Sequence, residues 1–482
     1  MSRPFDEARY RGLLEGLEAV EICFSQVMAG TQTNRFDPEY FNRTALLAQQ
    51  RLADSPTLGE LVRDGYRVVY ESTNAIDREV GIRAGLPFFL QSSDISTPFI
   101  DAEAMVCVSE DDWIRYPKGR IRAGELLIEV KGKAEKIAIV PDDFPDKTLV
   151  TGTCFKLTTK EADDRYVLTA YLTCKYGQAL KERLKTNLLV SYLAKDDLYS
   201  LPVPRISVEL REAIKSVFQQ CFSLHTHSRS LLVEAEQTLL RAVGLKNWQP
   251  PEPLTYTRPS RDAFAAGRLD AEYFAPRVVE LLNRLNKDGL TISAVAPARH
   301  ERFIPGTTDS FDYIEIGGVR ADGTAVSESV PHTEAPSRAT WLVKSGDVVT
   351  STVRPIRRLS ALIAPEQDGH VCSSGFVVLQ STTIPPEVLL TYLRLPPVCE
   401  LLDLHTSASL YPAISEVDLL GMPIPHIGTT TQTQIVESVR AAQASHRRAA
   451  ELLEAAKRAV EIAIESGEAS ALEFLNKEMT PQ

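Results

Sequence analysis

Several features that mark secreted, membrane or disulfide-bonded proteins are missing from this chain of 482 residues. No apolar run approaches the ~20 residues that a membrane-spanning helix requires. The opening segment MSRPFDEARYRG carries acidic residues and lacks the apolar core of a signal peptide. The seven cysteines are odd in number and form no Cys-x-x-Cys pair. A disulfide framework and a zinc site are therefore not expected, and the composition favours a reducing cytoplasm.

Signatures of nucleotide and methyl-transfer chemistry are missing as well. The chain has no GxxxxGK[ST] or GxGxxG phosphate loop, and no Asn-Pro-Pro-Phe or Asp-Pro-Pro-Tyr tetrapeptide of an amino-methyltransferase. His225 and His227 lie two residues apart on a predicted helix, so they face different directions and are interpreted as surface residues. We therefore predict no catalytic residue, no bound cofactor and no metal on this chain.

Positive charge is in deficit, because the formal net charge is −11. Taken alone, this argues against a nucleic-acid-binding protein, since a duplex is a dense line of negative charge. Binding depends on where the cations lie, however, and not on their average. The net charge therefore leaves a nucleic-acid partner open.

An internal duplication is present, and it decides how the chain is organised. Arg35 aligns with Arg268, an offset of 233, and Leu201 aligns with Met422, an offset of 221. Six blocks recur in one order: RFDPEYF with RLDAEYF, LPFFLQSSDI with FDYIEIGGV, RAGELLIEV with KSGDVVTST, TGTCFKL with SSGFVVL, VLTAYL with VLLTYL, and LPVPRI with MPIPHI. The changing offset places the insertions and deletions in the first part of each repeat.

Both repeats share one order of predicted elements. A helix follows each EYF block, at 44–52 and at 278–285, and short β-branched and aromatic runs broken by Gly, Pro and Asp then predict strands. Another short helix is predicted near 167–180 and near 388–402, and a Pro-x-Pro step ends each repeat. Each repeat is therefore predicted to be a mixed α/β globule of about 170 residues.

A long helix with heptad spacing follows each Pro-x-Pro step. The first seam comprises Leu210, Ile214, Val217, Cys221, Leu224, Ser228, Leu231, Ala235, Thr238 and Ala242. The second comprises Ile435, Val439, Ala442, His446, Ala449, Leu453, Ala456, Val460 and Ala463. Neither helix is expected to bury its stripe inside its own globule, so we predict that the two pack against each other as an antiparallel coiled coil. The alternative is that each helix folds onto its own globule.

The predicted fold class is mixed α/β, with two homologous α/β domains separated by these two helices. The predicted divisions are a helical segment at 1–34 (one helix, roughly 5–28), a first domain at 35–206, a first spacer helix at 207–245, a linker at 246–267, a second domain at 268–427, and a second spacer helix with the tail at 428–482.

One segment resembles a catalytic motif. In GELLIEVKGK, Glu129 and Lys131 end a predicted strand as the carboxylate and lysine of a PD-(D/E)xK nuclease do, and Asp111 or Asp112 could supply the second carboxylate. The competing interpretation is a half-buried strand with its charges in solvent. The second repeat has Ser351 and Val353 at the matching positions, which favours the second interpretation.

Cations gather on both sides of the same strand-turn-strand in the two repeats. The candidate DNA-contacting residues are Lys118, Arg120, Arg122, Lys131, Lys133 and Lys136 in the first repeat, and Arg338, Lys344, Arg354, Arg357, Arg358, Ser373 and Ser374 in the second. Charged loops are common on protein surfaces, and three glutamates dilute the first cluster. The shared position nevertheless suits two equivalent sets of phosphate contacts.

From Arg35 onward the chain resembles the specificity subunits of type I restriction-modification systems. The resemblance rests on segments typical of that family: GDVVTSTVRP at 346–355, SSGFVVL at 373–379, PIPHI followed by Gln-Ile-Val at 434–436, LPVPRI with the helix after it, and DAEYF at 270–274. The first repeat departs from the STVRP pattern, with Ile-Glu-Val-Lys-Gly at 128–132.

The resemblance implies a non-catalytic chain with two target-recognition domains, each binding half of a bipartite site on double-stranded DNA. It also implies that two methyltransferase subunits dock on the chain, in some systems with motor-nuclease subunits. The methyl donor, S-adenosylmethionine, would bind the partner methyltransferase. Arg354 and the Ser373–Phe376 turn carry over as framework of the second domain. The alternatives are a scaffold that binds no DNA, and the nuclease described above.

Overall fold

The computed structural model describes residues 6–14, 20–30, 37–67, 73–185, 191–250, 252–306, 309–407 and 412–479. The chain mixes helices with several small sheets and divides into two compact units. Unit 1 is formed by Met1–Ser223 and Arg448–Gln482, and unit 2 by Leu224–Arg447. Arg35 and Phe36 of the first repeat block lie outside the described residues.

Ten helices and nine strands precede residue 245 in the described part of the chain. The helices are α1 (Glu7–Leu14), α2 (Phe24–Gly30), α3 (Arg43–Arg51), α4 (Leu58–Leu61), α5 (Arg78–Arg83), α6 (Glu110–Arg115), α7 (Asp164–Thr173), α8 (Lys175–Leu184), α9 (Lys195–Tyr199) and α10 (Val208–Ala242). The strands are β1 (Val62–Arg67), β2 (Phe88–Leu90), β3 (Ile95–Ser96), β4 (Phe99–Ile100), β5 (Val106–Cys107), β6 (Leu126–Glu129), β7 (Ile137–Ile139), β8 (Thr148–Val150) and β9 (Cys154–Thr159).

In unit 1 an antiparallel sheet has the strand order β1-β9-β6-β7, and a second sheet has the order β5-β2-β8. Strands β2 and β8 run parallel, so their carboxyl ends lie at the same edge. The middle strand β6 is buried along its whole length, which is why its sequence LLIE shows little alternation. Met105, Leu127 and Val150 belong to the apolar core against these strands.

The rest of the described chain begins with helices α11 (Ser260–Ala266), α12 (Pro276–Leu285) and α13 (Ile292–Val295). The strands are β10 (Ser310–Ile314), β11 (Glu328–Pro331), β12 (Ala339–Leu342), β13 (Val348–Ser351), β14 (Ser360–Leu362), β15 (Val371–Ser373), β16 (Phe376–Leu379), β17 (Thr406–Ser407) and β18 (Ala413–Ile414). The later helices are α14 (Pro386–Leu393), α15 (Pro396–Leu404), α16 (Glu416–Gly421), α17 (Thr429–Ser466) and α18 (Glu468–Met479).

Unit 2 contains sheets of the same kind. The strand order β14-β13-β16 is antiparallel throughout, as are the pairs that β6 forms with β7 and β9. The order β11-β10-β15-β12 contains the parallel pair β10 and β15, which corresponds to β2 and β8. The duplication seen in the sequence is therefore a duplication of strand pairing as well.

Buried hydrogen bonds repeat between the units and explain why particular sequence blocks recur. Tyr171 donates its phenol hydrogen to the carbonyl of Pro202, and Tyr392 does the same to Pro423 at 2.5 Å. These bonds join the helix of each VL-x-x-YL block to the Pro-x-Pro step that follows. Each step is thus fixed to its own globule by a tyrosine.

The RAGE block of the first repeat and the KSGD block of the second adopt the same local structure. The carboxylate of Glu125 accepts the backbone N–H of Arg122 at 2.8 Å, and Asp347 accepts that of Lys344 at 2.9 Å. The glycine inside each block, Gly124 or Gly346, has a φ of 77° or 86°, a conformation that side chains disfavour. The block is therefore a tight turn that begins a buried strand.

The long helices α10 and α17 pack antiparallel, as predicted. In unit 1, Cys221 Sγ lies 3.3 Å from the carbonyl oxygen of Ala449, and in unit 2 Ser228 Oγ donates to the carbonyl of Ala442 at 2.8 Å. The residue number rises by seven on one helix while it falls by seven on the other. This is a heptad register, and the buried Ser228 satisfies its hydroxyl within it.

The packing also contradicts one expectation about these helices. Ile435 and Val439 of α17 lie in the apolar core of unit 2, together with Ala235 and Leu239 of α10. The first part of α17 therefore buries its stripe in its own globule as well as against α10. Where α10 enters that core, Leu239 is buried instead of the predicted Thr238, since a 3.6-residue turn drifts away from a strict heptad.

Three other helix predictions differ from the structure. The single helix predicted near 5–28 is two short helices, α1 and α2, with residues 20–23 non-helical between them. The helix predicted near 167–180 is also two helices, because Cys174 adopts an extended conformation between α7 and α8. The helix predicted near 388–402 is two helices as well, α14 and α15, because Leu395 is extended before Pro396. At the other end of the chain, Gly467 lets α18 turn back, and Arg448 of α17 donates to the carbonyl of Glu478 at 2.5 Å.

Candidate nucleic-acid interface

The strand-turn-strand that carries the predicted cations lies at an equivalent edge in both units. We call residues 130–136, between β6 and β7, turn 1, and residues 352–359, between β13 and β14, turn 2. The N–H of Val130 donates to the carbonyl of Thr153 at 2.9 Å, and that of Thr352 donates to Gly375 at 2.9 Å. Each turn thus lies beside the carboxyl end of a parallel strand, β8 or β15.

Turn 1 brings together three of the six cations predicted in the first repeat. Lys133 is exposed, Lys131 is half-buried in a β-bridge with Tyr192, and Lys136 Nζ donates to the carbonyl of Ser92 at 2.8 Å. The guanidinium of Arg67 lies 4.2 Å from the centre of the Tyr192 ring. Arg67 was missed in the sequence because it ends a strand more than 60 residues earlier.

The other three cations lie before β6 and do not belong to turn 1. Lys118 Nζ lies 5.6 Å from the centre of the Tyr66 ring. Arg120 stacks on Trp113 at 4.3 Å and donates to its carbonyl, while Arg122 is exposed. Since the buried strand β6 separates them from turn 1, the predicted cluster of six is two groups at opposite ends of one strand.

The second repeat is divided in the same way. Arg338 is exposed at the start of β12, and its carbonyl accepts the N–H of Ser374, also exposed, at 2.7 Å. Lys344 lies at the other end of β12, where its Nζ is 3.4 Å from Glu301 Oε2. Arg338 and Ser374 therefore lie at the edge that bears turn 2, and Lys344 does not.

Ser373 is buried and acts as framework. Its hydroxyl accepts the N–H of Gly375 at 3.2 Å and interacts with the phenol of Tyr313. Burial raises the pKa of Tyr313, an effect that this hydrogen bond and the nearby Arg338 partly offset. Ser374, the next residue along the chain, is the serine that faces solvent.

Turn 2 contains two arginines in the left-handed region, Arg354 with a φ of 49° and Arg358 with a φ of 60°. Pro355 between them is buried. Arg358 points inward and forms an ion pair with Glu236 of α10, and its carbonyl accepts a hydrogen bond from Arg394 Nη1 at 2.9 Å. Arg357 is exposed. The three arginines predicted in this turn therefore differ in their exposure and contacts, and Arg358 is the one whose side chain is paired with Glu236.

Turn 1 is held by a basic side chain in a similar way. Lys181 of α8 is fully buried, and its Nζ donates to the carbonyl of Ala134 at 2.9 Å. Ala134 has a φ of 53°, so it too is left-handed without being glycine. Burial, with a smaller effect of Lys185, lowers the pKa of Lys181 to about 7. In both units a basic side chain thus holds the carbonyl of a left-handed residue.

The carboxylate of Glu129 takes part in the structure of turn 1. It is buried and accepts the backbone N–H groups of Glu135 at 3.2 Å and Lys136 at 3.4 Å. Asp112 lies in the first turn of α6, where its carboxylate accepts a hydrogen bond at 2.9 Å from the hydroxyl of Ser109, the residue that caps this helix. Within the described ranges, no three His, Cys, Asp or Glu residues are grouped in a way that could hold a metal ion. These contacts favour a structural role for Glu129 over the nuclease interpretation.

The fold and the turns define a class of protein. It is a duplicated α/β chain in which both units present an equivalent basic turn and contribute to a pair of long antiparallel helices. Among the helices in the described part of the chain, none combines the length and the apolar composition of a membrane-spanning segment.

Among solved structures, the chain is similar to S subunits of type I restriction-modification systems. The S subunit from M. genitalium has 11% sequence identity, covers 87% of this chain and 95% of its own, and gives a TM-score of 0.34. The HsdS subunit from Thermoanaerobacter tengcongensis has 14% identity, covers 88% and 95%, and gives 0.25. A structure describing complex assembly and conformational transition of the type I R-M system has 16% identity, covers 88% and 96%, and gives 0.25. The chain matches no protein-family model and no curated protein.

Proposed function

We propose that this chain is the DNA-specificity subunit of a type I restriction-modification complex and that it has no catalytic site of its own. The observation that carries the proposal is the duplicated turn. Two equivalent units each present basic residues on the same turn, at the same edge of their own sheet. Repeated cationic turns of this kind suit two sets of contacts with a DNA backbone.

In this proposal each unit binds one half of a bipartite site on double-stranded DNA. Three exposed cations are suited to contact phosphates: Lys133 in turn 1, Arg357 in turn 2 and Arg338 beside turn 2. The helices α10 and α17 separate the half-sites by a fixed length, because a helix of 35 residues spans about 50 Å. The recognised sequence then contains a gap whose bases are not contacted.

Two methyltransferase subunits are proposed to dock on the chain, with motor-nuclease subunits in systems that also restrict DNA. S-adenosylmethionine would bind the methyltransferase and not this chain. The net charge of −11 fits such an arrangement, since basic partner subunits would contribute many of the phosphate contacts. The basic turns then supply position and specificity within a larger interface.

A gel-shift assay of the full chain, with and without its methyltransferase partner, tests the proposal. We expect a complex that retains one duplex sequence against excess competitor, and methylome sequencing of a host carrying the system should show a bipartite site. A chain that assembles with the methyltransferase but adds no sequence preference would be a scaffold. Metal-dependent cleavage by the chain alone would instead indicate a nuclease.

A further inference from the structure

We infer that Ile356, at the tip of turn 2, contacts a base edge in a DNA groove and is a specificity-determining residue of unit 2. The inference rests on the proposed function and adds a residue and a type of contact to it. Ile356 is an apolar residue 50% exposed to solvent. It was not among the residues that the sequence singled out.

The first argument is that turn 2 holds its tip in one conformation. The N–H of Arg357 donates to the carbonyl of Arg354 at 3.0 Å, and that of Arg358 donates to Pro355 at 2.9 Å. The same turn is attached to unit 2 through Glu236 and Arg394, which hold Arg358. A preformed tip loses little conformational entropy when it binds, and this favours a role in recognition.

The second argument is the backbone strain. A non-glycine residue with positive φ is strained, and turn 2 contains two of them, at Arg354 and Arg358. Both residues could be glycine at lower cost in the backbone. Strain of this kind is found preferentially at ligand-binding sites, where a side chain must be aimed in one direction. In turn 2 the residues between the strained positions are Pro355, Ile356 and Arg357, and only the last two are exposed.

The third argument is the chemistry of the two exposed side chains. The guanidinium of Arg357 suits a phosphate or a guanine edge, whereas isoleucine cannot bind a phosphate. An apolar side chain among cations at a DNA surface suits the methyl group of thymine or a widened base step. Ile356 therefore supplies contact with bases, while Arg357 supplies attraction to the backbone.

The two units differ at this tip, although their turns are held alike. Turn 1 exposes Lys133 before the left-handed Ala134, whereas turn 2 exposes Ile356 and Arg357 before the left-handed Arg358. An apolar base contact is therefore expected from unit 2 and not from turn 1.

The test compares Ile356→Ser with the unchanged chain in complex with the methyltransferase, on a duplex selected from a random pool. We expect the affinity ratio between selected and scrambled duplexes to fall about tenfold in Ile356→Ser, with the slope of log K against log salt unchanged. Arg357→Gln should instead reduce that slope by about one and leave the ratio nearly unchanged. Reselection with Ile356→Ser should relax one position of one half-site.

Val417→Ser is the matched control, because Val417 is 80% exposed on α16 of the same unit and lies outside turn 2. Ile356→Val keeps a branched apolar side chain and should retain most of the ratio, which separates recognition from a folding defect. A ratio within twofold of the unchanged chain for Ile356→Ser, together with an unchanged reselected site, would overturn the inference alone. If the unchanged complex prefers no sequence, the proposed function fails and the inference fails with it.

Discussion

At the scale of single residues, Lys181, which holds turn 1, is unusual because it is a fully buried lysine. Burial lowers the pKa of Lys181 to about 7 in the folded protein, from a usual value near 10.5. Between these two pH values the unfolded chain binds more protons than the folded one. The free energy of unfolding should therefore rise as pH rises from about 7 toward 10.

Lys181→Met should remove this rise. The effect is sizeable in principle, because each pKa unit corresponds to about 1.4 kcal/mol. Urea unfolding of both proteins at pH 7, 8 and 9 measures it. The control is Lys133→Met, which replaces an exposed lysine of the same turn and should run parallel to the unchanged chain. If the free energy of unfolding of Lys181→Met and that of the unchanged chain vary with pH in the same way, the pKa of Lys181 is not lowered in the folded protein.

Arg357 and Arg358 are adjacent but should respond differently to substitution. Arg357→Ala should weaken DNA binding and flatten its salt dependence, since an exposed phosphate contact is lost. Arg358→Ala should lower the free energy of unfolding by about 1–3 kcal/mol, because Glu236 loses its ion-pair partner and a carboxylate remains half-buried. Binding isotherms at several salt concentrations and urea unfolding measure the two effects. Equal effects of both substitutions on binding alone would contradict this division.

Residue type alone could not have made that distinction. The sequence places Arg354, Arg357 and Arg358 together, and all three are equally basic. Their roles separate because the left-handed conformation at Arg358 turns its side chain toward a helix more than 100 residues earlier. In the same way, Ser373 and Ser374 are chemically equal in the sequence, but Ser373 ends the buried strand β15 and Ser374 lies in the exposed turn after it.

At the scale of elements, the tyrosine contacts to the Pro-x-Pro steps are the most direct test of the duplication. Tyr392→Phe removes the donor to the buried carbonyl of Pro423 and should lower the free energy of unfolding by about 1–3 kcal/mol. Tyr171→Phe should produce a similar loss through Pro202. Thermal and urea unfolding measure both. A loss in one variant and none in the other would mean that the two steps are held differently.

The elements that the sequence predicted best are those with a strong periodicity. Helices α3, α12, α10 and α17 were expected within a few residues of their bounds, because their apolar spacing extends over two or more turns. The breaks at Cys174 and at residues 20–23 were not expected, since none of these residues is Pro or Gly. The break before Pro396 was missed although a proline marks it. The small strands, some only two residues long, depend on pairing with distant segments, which local sequence does not encode.

At the scale of the whole molecule, the repeat was the strongest signal, because six blocks in one order require a common structure. The sequence predicted that cations flank the same strand in both repeats. It did not predict that they form two groups at opposite ends of that strand. That separation follows from strand pairing. The sequence also could not predict that both turns are held by a basic side chain, since Lys181 and Arg394 occupy different places in their repeats.

The isolated chain should show no nuclease, methyltransferase or ATPase activity. Glu129→Ala should instead destabilise turn 1, because the N–H groups of Glu135 and Lys136 lose their acceptor, at a cost of about 1–3 kcal/mol. Cleavage assays with Mg²⁺ and Mn²⁺, together with urea unfolding of Glu129→Ala, measure both expectations. Metal-dependent cleavage by the unchanged chain that disappears in Glu129→Ala would support the nuclease interpretation.

The last prediction concerns the helix pair as a spacer. Ser228 lies opposite Ala442, so one heptad inserted after Ser228 is matched by one inserted after Ala441. The seam is preserved, and the pair becomes about 10 Å longer at ~1.5 Å per residue, with little change in the direction its faces point. The gap between half-sites should then lengthen by up to about three base pairs, at ~3.4 Å each, while both half-site sequences stay the same. Methylome sequencing measures the new gap.

A heptad inserted only after Ser228 is the control, and it should disrupt the register and abolish specific methylation. An unchanged gap in a folded double-insertion variant would mean that the helices serve partner docking and do not set the spacing.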